Sequence, residues 1–410
     1  MVGRATEVAV IGAGPYGLSI AGHLLEQGVG FRIFGKPMSF WLRMPASINL
    51  KSFAFATSVF VPREHYTFPE YCRSHGLEDV EPCTMASFAE YGLWVQRQLL
   101  PGLEAVDVTG LRHDGEHFEL TLEDGERVRA QRVVVATGLS NFQYVPAELA
   151  GLPRELLTHS SEHTSFEQFA GKDVAVVGGG ASALEAATIL QETGARPLLL
   201  VRDAEIVFHS KFDPHRSLRE RFRYPNSVLG PGRKSWVLGR FPTLLHYLPE
   251  ARRVRFTRQY LGPSGPWWLR DRFIGKVPHR LETRVTAADA RGDKVTLHVS
   301  EKGGASRPLV FDHVIAGTGY EVDVDRLSFL DVGLRGRIRR VVRAPSLSRH
   351  FESSVPGLYF AGPATALSFG PLFRFVAGAA HAAPTVTRHI ITRGNPLTRL
   401  GRRMSFGAAH

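Results

Sequence analysis

The chain has 410 residues, of which 43% are hydrophobic and 22% are charged, and its formal net charge is +11. That apolar content is enough for two domains with their own cores, and it excludes a chain that is disordered as a whole. The two cysteines, Cys72 and Cys83, form no CxxC motif, which argues against a disulphide scaffold, a zinc site and a dithiol redox centre. Because no apolar run approaches the ~18 residues of a membrane span and no secretory signal is recognisable, we expect a cytoplasmic protein.

The first predicted unit is VAVIGAGPYGLSIAGHLLEQGVGFRIFG, residues 8–35, which reads strand, glycine-rich turn, helix, turn, strand. Gly12 permits the tight turn, Gly14 leaves room for a pyrophosphate at the helix N-terminus, and Gly17 lets the helix lie close to the strand. Pro15 follows as the first helical residue. These four residues are predicted to form a dinucleotide site.

The same pattern returns 166 residues later, in VAVVGGGASALEAATILQETGARPLLLVR, residues 174–202. Gly178 and Gly180 take the places of the first two glycines, Ala183 takes that of the third, and Ser182 lies in the first helical turn. A single GxGxxG motif is weak evidence. Two of them in register, each within a complete βαβ frame, predict two dinucleotide sites.

Three further buried-strand patterns accompany these units. RVVVATGLS, residues 132–140, and HVIAGTGYE, residues 313–321, each end in Thr-Gly, where we expect the backbone to turn beneath a bound nucleotide. After GLYFAGPAT, residues 357–365, a proline is predicted to start a long helix whose N-terminus faces an anionic group. The residues predicted to contact nucleotides in these segments are Thr137, Gly138, Thr318, Gly319, Gly362 and Pro371.

Together these motifs resemble the flavoproteins with two dinucleotide-binding domains, and among them a diverged bacterial branch of the class B flavin-containing monooxygenases and N-hydroxylases. The resemblance extends over nearly the whole chain. AGTGY, residues 316–320, is similar to a motif of that family. PRELLTHSSEH, residues 153–163, keeps the central histidine of the family's linker motif, His159.

The resemblance implies an α/β fold with two Rossmann-like, three-layer (ββα) dinucleotide-binding domains. Residues 1–160 and 311–410 are expected to form a discontinuous FAD-binding domain. Residues 161–310 are expected to form an NAD(P)H-binding domain, with an aromatic and basic cap at about residues 213–278.

The resemblance also implies the reaction, a FAD- and NADPH-dependent insertion of one oxygen atom of O₂ into a small organic substrate through a C4a-(hydro)peroxyflavin. The alternative is an NAD(P)H-dependent flavin oxidoreductase or oxidase that passes electrons to a quinone or to O₂ without oxygenation. A non-catalytic flavin-binding protein is a third interpretation.

The segment FWLRMPASINLKSFAF is where the resemblance places the flavin ring. Trp41 and Met44 are expected to form apolar walls, and Asn49, Lys51 and Ser52 are expected to supply hydrogen-bond donors. Asn49 and Lys51 are the predicted catalytic residues, because an amide hydrogen-bonds the oxygenated flavin without protonating it. The alternative is that both only satisfy the backbone around the adenosine phosphates.

The ends of the second strands of the two units differ in charge. Gly35 stands where the family usually has an acidic residue that binds the adenosine ribose, so this contact is expected from the Gly35 backbone or from Lys36. In the second unit Arg202 takes the acidic position, and a guanidinium there favours the 2′-phosphate of NADPH. The neighbouring Asp203 leaves an ordinary surface arginine as the alternative.

The positive charge is concentrated in residues 233–284, where there are twelve Lys/Arg and three Asp/Glu. Because the sequence contains no recognisable nucleic-acid module, nucleic acid is not expected as a partner. A solvated face, NADPH, an anionic or aromatic small-molecule substrate and an acidic carrier protein remain as explanations. A homo-oligomer stays open, and the absence of an HExxH motif among the histidines argues against a metal site.

Overall fold

The computed structural model describes residues 4–77, 82–209, 217–302, 304 and 306–393 of the chain. These residues form sixteen strands, which in chain order are β1 Arg4–Ile11, β2 Phe31–Phe34, β3 Val108–His113, β4 Phe118–Leu122, β5 Arg127–Val135, β6 Leu157–His159, β7 Asp173–Val177, β8 Arg196–Leu200, β9 His279–Arg280, β10 Arg284–Arg291, β11 Lys294–Ser300, β12 Ser306–Phe311, β13 His313–Ala316, β14 Arg340–Val341, β15 Ala344–Pro345 and β16 Leu358–Phe360. They also form twelve α-helices, which are α1 Pro15–Glu26, α2 Ser39–Leu42, α3 Phe68–Ser74, α4 Met85–Leu99, α5 Ala181–Glu192, α6 Leu218–Arg223, α7 Arg233–Arg240, α8 Glu250–Gln259, α9 Arg270–Phe273, α10 Val332–Arg337, α11 Ala366–Phe369 and α12 Ala379–Arg393. None of these helices is both long and apolar enough to cross a membrane.

The first sheet is centred on β1 and β5, which pair in parallel with Val10 beside Val134. Strand β2 pairs in parallel with the other edge of β1, and β16 pairs in parallel with the last residues of β5. The antiparallel strands β4 and β3 continue the sheet from the first half of β5. The central strands are apolar because both of their faces are covered, and α1 packs against β1 and α12.

The second sheet is entirely parallel, in the order β6-β13-β7-β8-β9. Helix α5 covers one face, where Leu184 and Leu190 join the cluster around Val176. The antiparallel sheet β10-β11-β12 covers the other face, where Leu297 joins the cluster around Val314. This part of the chain is therefore a three-layer ββα sandwich, and the predicted α/β class is confirmed.

Strand pairing corrects the domain limits expected from the sequence. Strand β6 ends before residue 160 and β13 begins after residue 311, yet both pair within the second sheet, with His159 beside Ala316. Hydrogen-bond partners decide which sheet a strand joins, and sequence order does not reveal them. The second sheet therefore extends past both predicted boundaries, and residues 394–410 of the predicted FAD domain lie outside the described residues.

The predicted cap packs on both domains, although the sequence assigned it to the second alone: Leu269, Phe273 and Val277 join the core cluster of the second domain. Leu229, Leu238 and Leu245 are buried in the core cluster of the first domain. Leu245 Cδ1 would lie 2.5 Å from a β-carbon at Gly370, which shows how closely the cap approaches the C-terminal segment. Residues 213–216 of the predicted cap lie outside the described residues.

Pro371 starts a helix, but it is not the long one that was expected. Residues Pro371–Arg374 form one 3-10 turn, and α12 begins only at Ala379. Tyr16 packs at this interruption, and its Oη donates to the carbonyl oxygens of Phe373 at 3.2 Å and Phe375 at 2.7 Å. The Phe375 carbonyl oxygen also accepts from the Gly378 N–H at 3.1 Å.

Candidate functional site

A cavity of about 1350 Å³ reaches the first glycine-rich turn and the first turn of α5. This volume exceeds the roughly 300–1,000 Å³ that is typical of a site for one drug-sized ligand. Its walls come from the first βαβ unit, from the start of α5, from the segment 38–53 and from the loop 261–268. The cavity is therefore large enough for more than one ligand and is shared by the two domains.

Most of the predicted nucleotide residues of the first domain line this cavity. Gly12 has φ +110°, and a β-carbon there would lie 2.4 Å from the carbonyl oxygen of Ala136, so the turn requires glycine. Gly14 caps α1 in an extended conformation, and a side chain there would meet no protein atom within 4 Å. Gly17 lies behind the turn, where a β-carbon would be 1.8 Å from the Gly12 oxygen. The predicted residues in the cavity lining are Gly12, Gly14, Pro15, Gly35, Thr137, Gly138 and Gly362.

The second turn has the same geometry with one compensated substitution. Gly178 has φ +142°, and a β-carbon there would lie 2.3 Å from the carbonyl oxygen of Gly317. Ala183 replaces the third glycine and packs against Gly317, where a β-carbon would be 2.5 Å from the Ala183 methyl. Gly317, the second residue of AGTGY, thus makes room for that methyl. Ser182 lines the cavity, whereas Gly178, Gly180, which caps α5, and Ala183 are not part of the lining.

The two predicted Thr-Gly contacts of the second domain, and Pro371, are not in the cavity lining. Thr318 Oγ1 donates to the Tyr144 oxygen, and the Tyr144 N–H donates to the Gly319 oxygen at 2.9 Å. The Gly319 oxygen also accepts from His159 Nε2 at 2.9 Å. These contacts join the segment of Tyr144 and His159, where the chain enters the second domain, to the segment of Thr318 and Gly319, where it leaves that domain. A nucleotide role for Thr318, Gly319 and Pro371 stays a prediction.

The charged residues at the ends of the second strands are paired with neighbours. Arg202 is exposed and lies 3.8 Å from Asp203, whose Oδ2 would be 3.9 Å from a β-carbon at Gly179. Arg202 is not in the cavity lining, and its contact with a 2′-phosphate stays a prediction. Lys36 lines the cavity and pairs with Asp107 at 3.3 Å.

All five predicted residues of the flavin-side segment, Trp41, Met44, Asn49, Lys51 and Ser52, line the cavity. Asn49 forms a backbone bridge with Thr84, and its carboxamide has no hydrogen-bond partner within the described part of the chain. Ser52 Oγ shares a 2.7 Å hydrogen bond with Thr57 Oγ1. Among Asn49, Lys51 and Ser52, the Asn49 amide is thus the group without a protein partner in the described residues, and it is available to a ligand.

Lys51 connects this segment to the loop between the two domains. Its Nζ donates to the Ser264 carbonyl oxygen at 2.6 Å and to Ser264 Oγ at 3.1 Å. Ser264 Oγ also lies 2.8 Å from His209 Nε2. The residue borders the open cavity, but its ammonium group is surrounded by protein, and this desolvation lowers the pKa of Lys51 to about 8 against the opposing effect of Glu185.

Glu185, on the inner face of α5, is a cavity residue that the sequence analysis missed. It is 7% exposed, and its Oε1 has no hydrogen-bond partner in the described residues. Burial raises the pKa of Glu185 to about 8, and the positive charge of Lys51 acts in the opposite direction. Its signal was an acidic residue between Leu184 and Ala186, in the buried stretch of α5. Arg374, also missed, lines the cavity from the loop before α12.

No group of three or more metal-ligating side chains occurs in the residues that the structure describes. His159 and His163 are four residues apart, but their ring nitrogens have other partners. His159 Nδ1 lies 2.8 Å from Ser161 Oγ, and His163 Nε2 lies 2.7 Å from Thr158 Oγ1. The ring nitrogens of both residues are therefore engaged in hydrogen bonds with protein groups.

Solved structures with the same fold include enzymes of two kinds. Ornithine N-hydroxylase of Kutzneria sp. 744, in complex with reduced FAD, NADP⁺ and L-ornithine, has a TM-score of 0.74 and 18% identity over 96% of this chain and 100% of that chain. Bacillithiol disulfide reductase of Staphylococcus aureus has a TM-score of 0.64 and 18% identity over 96% of this chain and 100% of that chain. At these identities the likeness establishes the fold alone.

The sequence relatives cover only part of this chain. Indole-3-pyruvate monooxygenase of Oryza sativa subsp. japonica is 30% identical over 203 residues, which are 47% of this chain and 47% of that protein. The match thus spans about half the length of this relative. The family model of the pyridine nucleotide-disulphide oxidoreductases matches residues 9–224, more than half of the chain. The protein therefore belongs to the pyridine nucleotide-disulphide oxidoreductase family.

Proposed function

We propose that the protein is a FAD- and NADPH-dependent monooxygenase that inserts one oxygen atom of O₂ into a small organic substrate. The observation that carries this proposal is the cavity lined by the N-terminal turns of both α1 and α5, which has room for two nucleotides side by side. The names of similar proteins support the reaction class, since the rice relative is a monooxygenase and the Kutzneria protein is an N-hydroxylase with FAD and NADP⁺ bound.

The residues of the first domain fit FAD. The N-terminus of α1 offers backbone N–H groups to the pyrophosphate, and the bare Cα of Gly14 leaves the approach open. Gly35 and Gly362 bring further backbone to the same wall, both at positive φ. A side chain at Gly14 would enter the space that the pyrophosphate needs.

The residues of the second domain fit NADPH. The N-terminus of α5 at Gly180 takes the pyrophosphate, and Ser182 faces the cavity in the first turn of the helix. Arg202 gives up its exposed ion pair with Asp203 and binds the doubly charged 2′-phosphate instead. Because NADH lacks this phosphate, the contact makes the protein prefer NADPH over NADH.

When bound, FAD accepts hydride from NADPH and passes electrons to O₂, so the oxidising chemistry belongs to the cofactor. The chain must hold the reacting atoms, exclude water and place a proton. Trp41 and Met44 supply an apolar wall, and the Asn49 carboxamide donates a hydrogen bond without acting as an acid. Lys51, with a pKa of about 8, holds a proton at Nζ beside Ser264.

Labelled dioxygen separates this proposal from its alternative, a flavin oxidoreductase or oxidase that passes electrons to a quinone or to O₂ without oxygenation. The FAD-loaded protein receives NADPH and isotopically heavy O₂ with a panel of amines, sulfides, ketones and carboxylic acids. A product that carries one heavy oxygen atom supports the monooxygenase. NADPH consumption matched by peroxide or quinol with every compound supports the alternative. A disulfide reductase with the same fold shows that this fold also occurs in enzymes of that kind.

A further inference from the structure

Arg374 is a cation in the cavity wall without a carboxylate partner. The basic residues of the wall are Lys36, Arg43, Lys51 and Arg374. Lys36 is paired with two carboxylates, and Lys51 lies in the field of the buried carboxyl group of α5. Arg43 is exposed to solvent. Arg374 is partly buried and has no ion pair within 4.0 Å in the described part of the chain, so its charge is left for a ligand.

The guanidinium group of Arg374 has spare donors. Its Nη2 donates to the Tyr260 carbonyl oxygen at 2.6 Å. Its Nε is enclosed and has no hydrogen-bond partner among the described residues, whereas Nη1 is not enclosed and has no protein acceptor there either. Burial lowers the pKa of Arg374, and no neighbouring carboxylate opposes that effect. Burying a guanidinium group with unpaired N–H donors lowers the stability of the folded protein. In a side chain with a purely structural role, we would expect an acceptor to offset this cost.

The position of Arg374 is defined from both sides. Tyr16 Oη donates to the carbonyl oxygens of Phe373 and Phe375, the two neighbours of Arg374 in the chain. On the cap side, Tyr260 is held by a 2.8 Å hydrogen bond between its hydroxyl and Ser235 Oγ. The guanidinium group is therefore preorganised between the first domain and the cap.

The wall around Arg374 is apolar. Phe375 and Val376 follow it in the chain and line the cavity, and the cap contributes Leu229 and Leu261 to the lining of the same cavity. A fixed cation in an apolar wall suits a molecule with a hydrophobic body and one anionic group. Arg374 is hydrogen-bonded to Tyr260 of the cap, and the cap belongs to neither glycine-rich unit.

We propose that Arg374 binds the carboxylate of an apolar, aromatic-sized carboxylic acid substrate, an inference that rests on the proposed function. Nη1 and the second N–H of Nη2 form a fork that matches the two oxygens of a carboxylate. A phosphate of a cofactor is the other source of such an anion. The N-termini of α1 and α5 already serve the pyrophosphates, and Arg374 is bonded to the cap rather than to either helix.

The test uses the oxidised FAD-containing protein and two probes, 3-phenylpropionate and its neutral amide, 3-phenylpropanamide. Their Kd values are measured from the change in flavin absorbance or tryptophan fluorescence. We expect the wild-type protein to prefer the acid and Arg374→Gln to bind it roughly 10- to 150-fold more weakly, the usual effect of losing a charge-assisted hydrogen bond. Arg374→Lys keeps the charge without the fork and should fall between the two. Arg43→Gln, at the exposed basic residue of the same wall, is the matched control and should leave the preference intact.

FAD content and the Kd of NADP⁺ are measured on the same variants. Unchanged values with a lost acid preference support the inference. Equal binding of acid and amide by the wild-type protein, or an acid preference that survives in Arg374→Gln, overturns it and leaves the monooxygenase proposal standing. Weaker FAD or NADP⁺ binding with an intact acid preference also overturns it, because the anion is then a cofactor phosphate. Failure of the wild-type protein to bind FAD would instead refute the proposed function.

Discussion

Replacing Glu185 by Gln should stabilise the protein, and the effect should grow with pH. Folding raises the pKa of Glu185 from its ordinary value of 4.5 to about 8. The stability that this carboxyl group contributes is therefore complete below about pH 4.5 and is lost as the pH rises through about 8, when the buried group must ionise. Gln keeps the shape of the neutral acid and has no charge to bury.

The magnitude follows from the shift of the pKa. One pKa unit corresponds to about 1.4 kcal/mol, so a rise from 4.5 to about 8 is worth on the order of a few kcal/mol once the buried group is ionised. At pH 9, Glu185→Gln should raise the free energy of unfolding by about that amount, whereas at pH 5, where Glu185 is neutral, the two proteins should differ little. Urea unfolding of the FAD-containing protein at both pH values measures the difference.

Glu192→Gln is the matched control on the same helix. Glu192 is exposed and forms a 2.6 Å ion pair with Arg272, so its loss should change stability by less than about 1 kcal/mol and by similar amounts at pH 5 and pH 9. If Glu185→Gln has the same effect at both pH values, the buried carboxyl group does not titrate as described. If it destabilises the protein at pH 9, Glu185 has an acceptor or cation that compensates its charge.

Four other substitutions test the two nucleotide sites and the flavin-side donor. Gly14→Val, at an extended backbone position that faces the cavity, should fold normally but purify without flavin absorbance; retained FAD would refute the first site. Gly180→Val, where a β-carbon would lie 3.9 Å from Pro263, should keep FAD and lose reduction by NADPH while dithionite still reduces the flavin, and loss of FAD would contradict the separation of the two sites. Arg202→Ala should raise the KM for NADPH roughly 10- to 200-fold through loss of ~1.5 to 3 kcal/mol, with little change for NADH; equal effects on both would move the 2′-phosphate contact elsewhere. Asn49→Ala should keep FAD content and the rate of reduction, but loss of ~1 kcal/mol of hydrogen bonding should accelerate peroxide release about 5-fold, and unchanged coupling would assign that donor to another residue.

The two glycine-rich turns could be predicted from the sequence because their requirements are local. Gly12 and Gly178 are needed for positive φ beside a neighbouring strand, and the spacing of the helix that follows is set within the same βαβ unit. The same holds for Gly14, whose open side is a property of the cap position of α1.

The electrostatics of the cavity could not be predicted in this way. Glu185 is notable because α5 brings it toward Lys51, and Arg374 because it meets Tyr260 of the cap. Both pairs join segments that are far apart in the chain, and no local pattern encodes their approach. Strand β13 was placed in the wrong domain for the same reason, since its partners are set by the assembled sheet.

Rapid mixing of the NADPH-reduced protein with O₂ is a decisive test of the monooxygenase proposal, because it needs no knowledge of the substrate. We predict complete reduction of FAD by NADPH under anaerobic conditions. After mixing, a transient near-ultraviolet absorbance should form before the visible bands of oxidised flavin return in a second, slower phase. A single phase of flavin reoxidation, with peroxide released at the same rate and no transient, would contradict the monooxygenase account and favour an oxidase.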